Sequence, residues 1–204
     1  MLIDFSTLTP NQIYHWMTQS IVPRPIAWVL SMNEVGGYNL APFSYFNAIC
    51  SDPPLVMLSV GKKPDGEHKD TSTNLIARKN FVIHIANSHL AQLVTDSSKT
   101  LPAETSEVDE LELELLPFEG FDIPRLACCN IAMACSFYQV HELGRNQQRV
   151  IYAEVHQLFV SDEVMSQDAK GRSKVDALRV DPLARLGSSE YAVMGNVISI
   201  PRPK

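Results

Sequence analysis

The stretch NIAMACSFYQVHELGRNQQRVIYAEVHQLFVS, residues 130–161, decides the fold class. Two runs carrying Val, Ile, Tyr and Phe, 130–143 and 149–161, flank Gly144-Arg145-Asn146-Gln147. Such side chains favour a pleated, half-buried surface, and a polar, glycine-led tetrapeptide between two such runs is a hairpin turn. The spacing therefore predicts a pair of long antiparallel strands.

Toward the N-terminus the same signals recur. Residues 26–31, 55–60 and 81–85 are short apolar runs bounded by turn residues. Residues 38–47 form a further strand interrupted by Pro42, which cannot donate to a ladder and so marks an edge, a bulge or a bend. Asn33-Glu34-Val35-Gly36-Gly37 is a turn before it. Thr9-Pro10-Asn11-Gln12 opens a helix ending near residue 20, with Thr9 and Gln12 as a capping box and Tyr14, Trp16 and Met17 on its buried side. A second helix starts at Asp70 or Thr71, turns Leu75, Ile76 and Ala77 inward and ends near Lys79; a third covers 89–97. Residues 111–115 alternate Leu with Glu inside an acidic run, 104–114, and predict a strand with one wet face. Residues 191–200 predict a final strand.

The chain has 204 residues, 45% hydrophobic and 20% charged, with a net charge of -6. This balance excludes a disordered or collagen-like chain and argues against a basic nucleic-acid binder. The first residues lack a basic and then apolar leader, and no apolar run approaches the ~20 residues that cross a bilayer. Cys50, Cys128, Cys129 and Cys135 form no C-x-x-C pair and are expected to be buried thiols. Together these features predict a cytoplasmic protein without membrane or nucleic-acid partners. The elements predict one α+β, mainly β domain, closed as a barrel or sandwich with short peripheral helices.

Four segments carry candidate chemistry. His68-Lys69-Asp70-Thr71-Ser72-Thr73-Asn74 lies where a loop enters a helix; free N–H groups, a lysine and hydroxyls there suit a phosphate, or form an ordinary capped helix start. The stretch 39–47, Asn-Leu-Ala-Pro-Phe-Ser-Tyr-Phe-Asn, puts Ser44 and Asn47 beside Phe43, Tyr45 and Phe46, either against a planar ring or in the core. Pro23-Arg24-Pro25 holds a guanidinium for an anion, or places an arginine ahead of a strand. Arg185-Leu186-Gly187-Ser188-Ser189-Glu190-Tyr191 is a ligand-facing loop or a plain turn. There is no Walker pattern, G-x-G-x-x-G, H-E-x-x-H or G-x-S-x-G, so P-loop, Rossmann, zincin and serine-hydrolase chemistry lack support, and no catalytic acid, base or metal ligand is assigned.

Arg24-Pro25-Ile26-Ala27-Trp28-Val29, the 39–47 stretch, Ser51-Asp52-Pro53-Pro54, Lys69-Asp70-Thr71 with Asn74, and Arg185-Leu186-Gly187 with Tyr191 occur in the order and spacing that resembles the flavin reductase-like, FMN-binding split-barrel family. The resemblance implies a single domain over residues 1–204 with a Greek-key split β-barrel fold, a homodimer, and one FMN per subunit reduced by NADH or NADPH. It places Ser44, Tyr45, Phe46 and Asn47 at the ring or ribityl chain, Lys69, Thr71 and Asn74 at the phosphate with Arg24 nearby, and Arg185, Gly187 and Tyr191 in the C-terminal cofactor loop. It also implies an oxygenase or redox protein as a possible partner, the alternatives being an electron carrier reduced by a partner or a flavin-binding module. Two positions depart from the family pattern: Ser188 stands where a second glycine is usual, and Met32 follows Ser31 where a threonine is expected, either against the flavin or as core filling.

Overall fold

The computed structural model describes residues 1–102, 105–201 and 203. Seven strands form one antiparallel sheet: β1 (Ala27–Met32), β2 (Tyr38–Phe43), β3 (Phe46–Ser51), β4 (Pro54–Val60), β5 (Asn80–Ile85), β6 (Ile131–Leu143) and β7 (Gln148–Val160), in the spatial order β2-β1-β5-β6-β7-β4-β3. The predicted long hairpin is β6 and β7, which pair along nearly their full length with two register shifts.

The predicted strand over 38–47 divides. Pro42 pairs with Trp28 on the edge strand β2, where its missing N–H leaves no ladder bond unmade. The chain then bends at Ser44 and Tyr45 and enters β3, the opposite edge of the same sheet. The two edges are thus joined covalently by that bend, and the Ser59 N–H bonds to the Tyr45 carbonyl at 2.8 Å. This seam, with the β6–β7 hairpin inserted between β5 and β4, makes the sheet a Greek-key split β-barrel.

β1 is buried on both faces. Ala27 and Val29 join Phe43, Leu58, Phe81, Ile83 and Ile151 in the barrel interior, while Trp28 and Leu30 join Leu40, Val94, Val108 and Leu126 in a second core outside the barrel. Over the second core lie α3 (Ala91–Asp96) and α4 (Glu107–Glu110). Leu75 of α2 (Asp70–Arg78) packs instead with the interior cluster.

Several local expectations are corrected. α1 (Pro10–Ser20) has the predicted capping box, but Tyr14 and Met17 are exposed and Thr18 is its buried residue. α2 buries Thr71, Ser72, Asn74 and Leu75, and Ala77 faces out. Its cap position is Lys69 and not Asp70 or Thr71, because the Asp70 carboxylate is engaged by Lys63 at 2.7 Å. Of the acidic run, Glu104 lies outside the described residues, Glu107 to Glu110 form one helical turn, and only Leu115–Leu116 pairs as strand. Residues 111–115 do alternate half-buried Leu with exposed Glu, but Glu112 at φ 51° breaks the extended backbone. After Tyr191–Ala192 the described residues of the tail make no ladder. All four cysteines are free, Cys129 and Cys135 buried but Cys50 and Cys128 exposed.

His84, fully buried on β5, joins the barrel to the 125–126 strand. The Leu126 N–H donates to Nε2 at 2.9 Å, so Nδ1 carries the proton and donates to the Trp28 carbonyl at 3.1 Å. Burial pushes its pKa down to about 4. The unfolded chain takes a proton near pH 6.5 that the folded chain refuses until about pH 4, so stability falls across this window as pH drops. We expect His84 to account for about 2 kcal/mol of lost stability between pH 7 and pH 5. Urea denaturation checks this: His84→Gln, less stable at pH 7, should lose less on acidification than the wild type, and an equal loss contradicts it.

Candidate functional site

The bend that closes the barrel also lines a groove. Its first chamber is walled by Asn39, Ala41 and Pro42 of β2, Lys63 in the loop before α2, Lys69, Asp70 and Thr71 at its start, residues 97–101 after α3, and Glu107. A second chamber is walled by Tyr14, Ile26, Pro42, Ser44, Val94, Ser98, Arg185 and Tyr191. Pro42 and Ser98 belong to both, so the two are one continuous groove. One end is rich in charge and hydroxyls; the other mixes aromatic and apolar walls with an arginine.

At the charged end, Lys69 is exposed as a residue, yet the protein around its ammonium lowers its pKa, and Nζ lies 5.7 Å over the Phe43 ring. None of the ion pairs among the described residues includes it. Lys69 offers no side-chain cap, so the N–H groups of the first α2 turn keep the unpaired donors of a helix start. Thr71, 1% exposed, accepts from Asn39 Nδ2 at 2.8 Å, which leaves its own hydroxyl proton to donate. Such a set of donors suits an anion.

Arg24, 6% exposed, supports the groove from behind. Its guanidinium donates to the Thr18 carbonyl, to the Ile21 carbonyl at 2.8 Å, to the Leu186 carbonyl at 2.8 Å and to Ser44 Oγ at 3.5 Å. Most of its donors are therefore spent on the protein, and Arg24 holds the end of α1, the bend and the C-terminal loop together.

Of the residues singled out in the sequence, Ser44, Lys69, Thr71, Arg185 and Tyr191 line the groove. Arg185 is held by the Ser188 carbonyl at 2.5 Å and by the face of Tyr191, 4.6 Å from its centroid; the Tyr191 hydroxyl meets Thr95 Oγ1 at 2.8 Å. The others line neither chamber. Tyr45 sits with Tyr14, ring centroids 6.5 Å apart; Phe46 packs against the barrel interior; exposed Asn47 accepts from the next N–H, that of Ala48. Asn74 binds Ser31 and Asn33, pinning α2 to the β1–β2 turn. Gly187 is pressed on α1: a Cβ would collide with the Gln19 side chain and lie 3.2 Å from its Cα. Ser188 takes φ 56°, a conformation that glycine adopts without strain. Met32 is exposed at the end of β1, away from both the core and the groove.

Sequence reasoning missed Ser97, Ser98, Lys99, Thr100 and Glu107. The run Ser97-Ser98-Lys99-Thr100 at a helix end carried a legible signal, a lysine among hydroxyls. Glu107 did not, being one acid among several in a polar run.

A family model, flavin reductase like domain, matches residues 18–174. The chain is similar to the crystal structure of nitrilotriacetate monooxygenase component B from Bacillus cereus, at 31% identity over 98% of each chain and a TM-score of 0.88. It is also similar to 2-nitrobenzoate 2-nitroreductase from Pseudomonas fluorescens, at 31% identity over 100% of this chain and 96% of that one, TM-score 0.85. A split barrel domain protein from Shewanella frigidimarina NCIMB 400 shares the fold at 16% identity, covering 100% of both chains with a TM-score of 0.84. With a barrel closed at the 44–45 bend and a family model spanning most of its length, the chain belongs to the flavin reductase-like family.

Proposed function

We propose that the groove binds FMN and that the protein is an oxidoreductase drawing hydride from NADH or NADPH. The observation that carries this reading is one groove with a lysine that has no acidic partner among the described residues at a helix start and a chamber of mixed aromatic, apolar and polar walls at its other end. A phosphate monoester fits the first, and a planar ring fits the second.

In this reading Lys69, Thr71, Ser98 and Thr100 hold the phosphate, and Tyr14, Ser44 and Tyr191 border the ring. When bound, FMN supplies the hydride chemistry, and the protein supplies position and electrostatics. Arg24 donates to Ser44 Oγ, which leaves the Ser44 hydroxyl proton for the polar edge of a ring. The backbone at the bend, released from the ladder, adds further donors for charge that develops there. Pro42, Ile26 and Val94 give the ring apolar contacts among the polar groups of the second chamber.

The component B neighbour supports an oxygenase or other redox protein as the final electron acceptor. The exposed strand β3 and the exposed apolar tail residues Val193, Val197, Ile198 and Ile200 support a homodimer. The four free cysteines agree with a cytoplasmic location. Among the described residues no helix is long and apolar enough to cross a membrane.

Anaerobic addition of NADH or NADPH to the FMN-loaded protein should bleach the flavin absorbance. A spectrum that neither nucleotide changes overturns the reductase reading and leaves a carrier or a binding module. Lys69→Ala should raise the FMN dissociation constant ~10- to 100-fold, about 2 kcal/mol for a lost charged hydrogen bond, with the melting temperature of the FMN-free protein unchanged. Fluorescence titration checks this, and an unchanged dissociation constant removes Lys69 from the phosphate site.

A further inference from the structure

Glu107 has no task in the flavin reading, yet it lines the same chamber as Lys69 and Thr71. It is 7% exposed, and its Oε2 accepts from the Leu40 N–H of β2 at 2.9 Å. No ion pair among the described residues includes it. The charged groups around it come from four segments. Lys63 and Asp70 pair with each other at 2.7 Å, Lys99 leans on Asp96 at 3.7 Å, Lys69 has no acidic partner among the described residues, and Glu110 shares its helix. A carboxylate this poorly compensated holds its charge at a cost, and burial together with Asp70 and Glu110 raises its pKa.

Among the described residues the chamber lining sets three lysines, Lys63, Lys69 and Lys99, against two carboxylates, Asp70 and Glu107. That is one net positive charge. A phosphate monoester above its second pKa of about 6 brings nearly two negative charges. The loaded chamber would then carry an uncompensated negative charge beside a carboxylate already held in a poor environment, and one proton removes that excess.

We propose that Glu107 takes up a proton when the phosphate end of FMN enters the chamber, so that flavin binding and Glu107 protonation are one linked event. This rests on the flavin reading above. Its consequences are that FMN binds more weakly as pH rises and that riboflavin, which lacks the phosphate, binds without this dependence. Protonated Glu107 keeps a carbonyl oxygen for the Leu40 N–H, so the edge strand stays anchored in both states.

The test is FMN titration of the wild-type protein and of Glu107→Gln between pH 6.5 and 8.5, with riboflavin as the second ligand. Calorimetry in two buffers of different ionisation enthalpy counts the protons. For the wild type, the FMN dissociation constant should rise with pH, with a limiting slope of about tenfold per unit, and protons should be absorbed on binding. In Glu107→Gln the slope and the uptake should vanish and FMN should bind more tightly at pH 8.5. Wild-type binding of FMN that is independent of pH, or accompanied by no uptake, overturns the proposal and leaves the flavin reading standing. Uptake that persists in the variant assigns the proton to Lys69 or to the phosphate and also overturns it. Should Glu107→Gln not fold, an equal proton uptake for riboflavin and FMN in the wild type refutes it. Failure of the wild type to bind FMN at any pH removes the flavin reading and this proposal together.

Discussion

The groove depends on one buried guanidinium. Arg24 is almost wholly removed from water, so its donors must find acceptors within the protein. They find them at the end of α1, at Ser44 in the barrel seam and at Leu186 in the C-terminal loop. Each of these segments supplies a wall: α1 brings Tyr14, the seam brings Ser44, and the C-terminal loop brings Arg185 and Tyr191. The short strand Arg24–Pro25, paired with Ala184–Arg185, fixes the same geometry through the backbone. The arginine thus shapes the site without lining it.

The two ends of the groove follow from opposite uses of desolvation. At the seam, a proline edge and a bend free backbone groups from the ladder, and Tyr14 and Tyr191 stand beside the buried aliphatic Ile26 and Val94. At the start of α2, the first helical turn keeps unpaired donors and a lysine that no described acid pairs with. Glu107 stands against this positive end, held by a backbone N–H and not by a cation. That pairing sets a net charge near balance, which a doubly charged ligand would tip and a proton would restore.

The sequence carried most of the barrel because its strands are local statements. The 130–161 hairpin, the double-sided burial of 27–31 and the turn at 33–37 need only nearby residues to be read. The split of 38–47 between two sheet edges was half legible: Pro42 marked the edge, but nothing local says that the chain re-enters the far side of the sheet. The site was less legible for the same reason. Lys69 and Thr71 announce themselves at a helix start, whereas Asn74, on the same helix, and Gly187, in the same loop as Arg185, serve packing, a distinction that only Ser31, Asn33 and Gln19 reveal. Arg24 shows the limit clearly. Its flanking prolines pointed to a preorganised guanidinium, and it is one, but the acceptors are three of the protein's own carbonyls and the Ser44 hydroxyl.

The central claim is that the phosphate of FMN rests at the start of α2. A crystal structure of the protein grown with FMN tests it most directly. The account predicts the phosphate within hydrogen-bonding reach of Lys69 Nζ and the Thr71 hydroxyl, with the ring in the chamber bordered by Tyr14, Ser44 and Tyr191. A phosphate lodged at Arg185, or a flavin outside this groove, would contradict it.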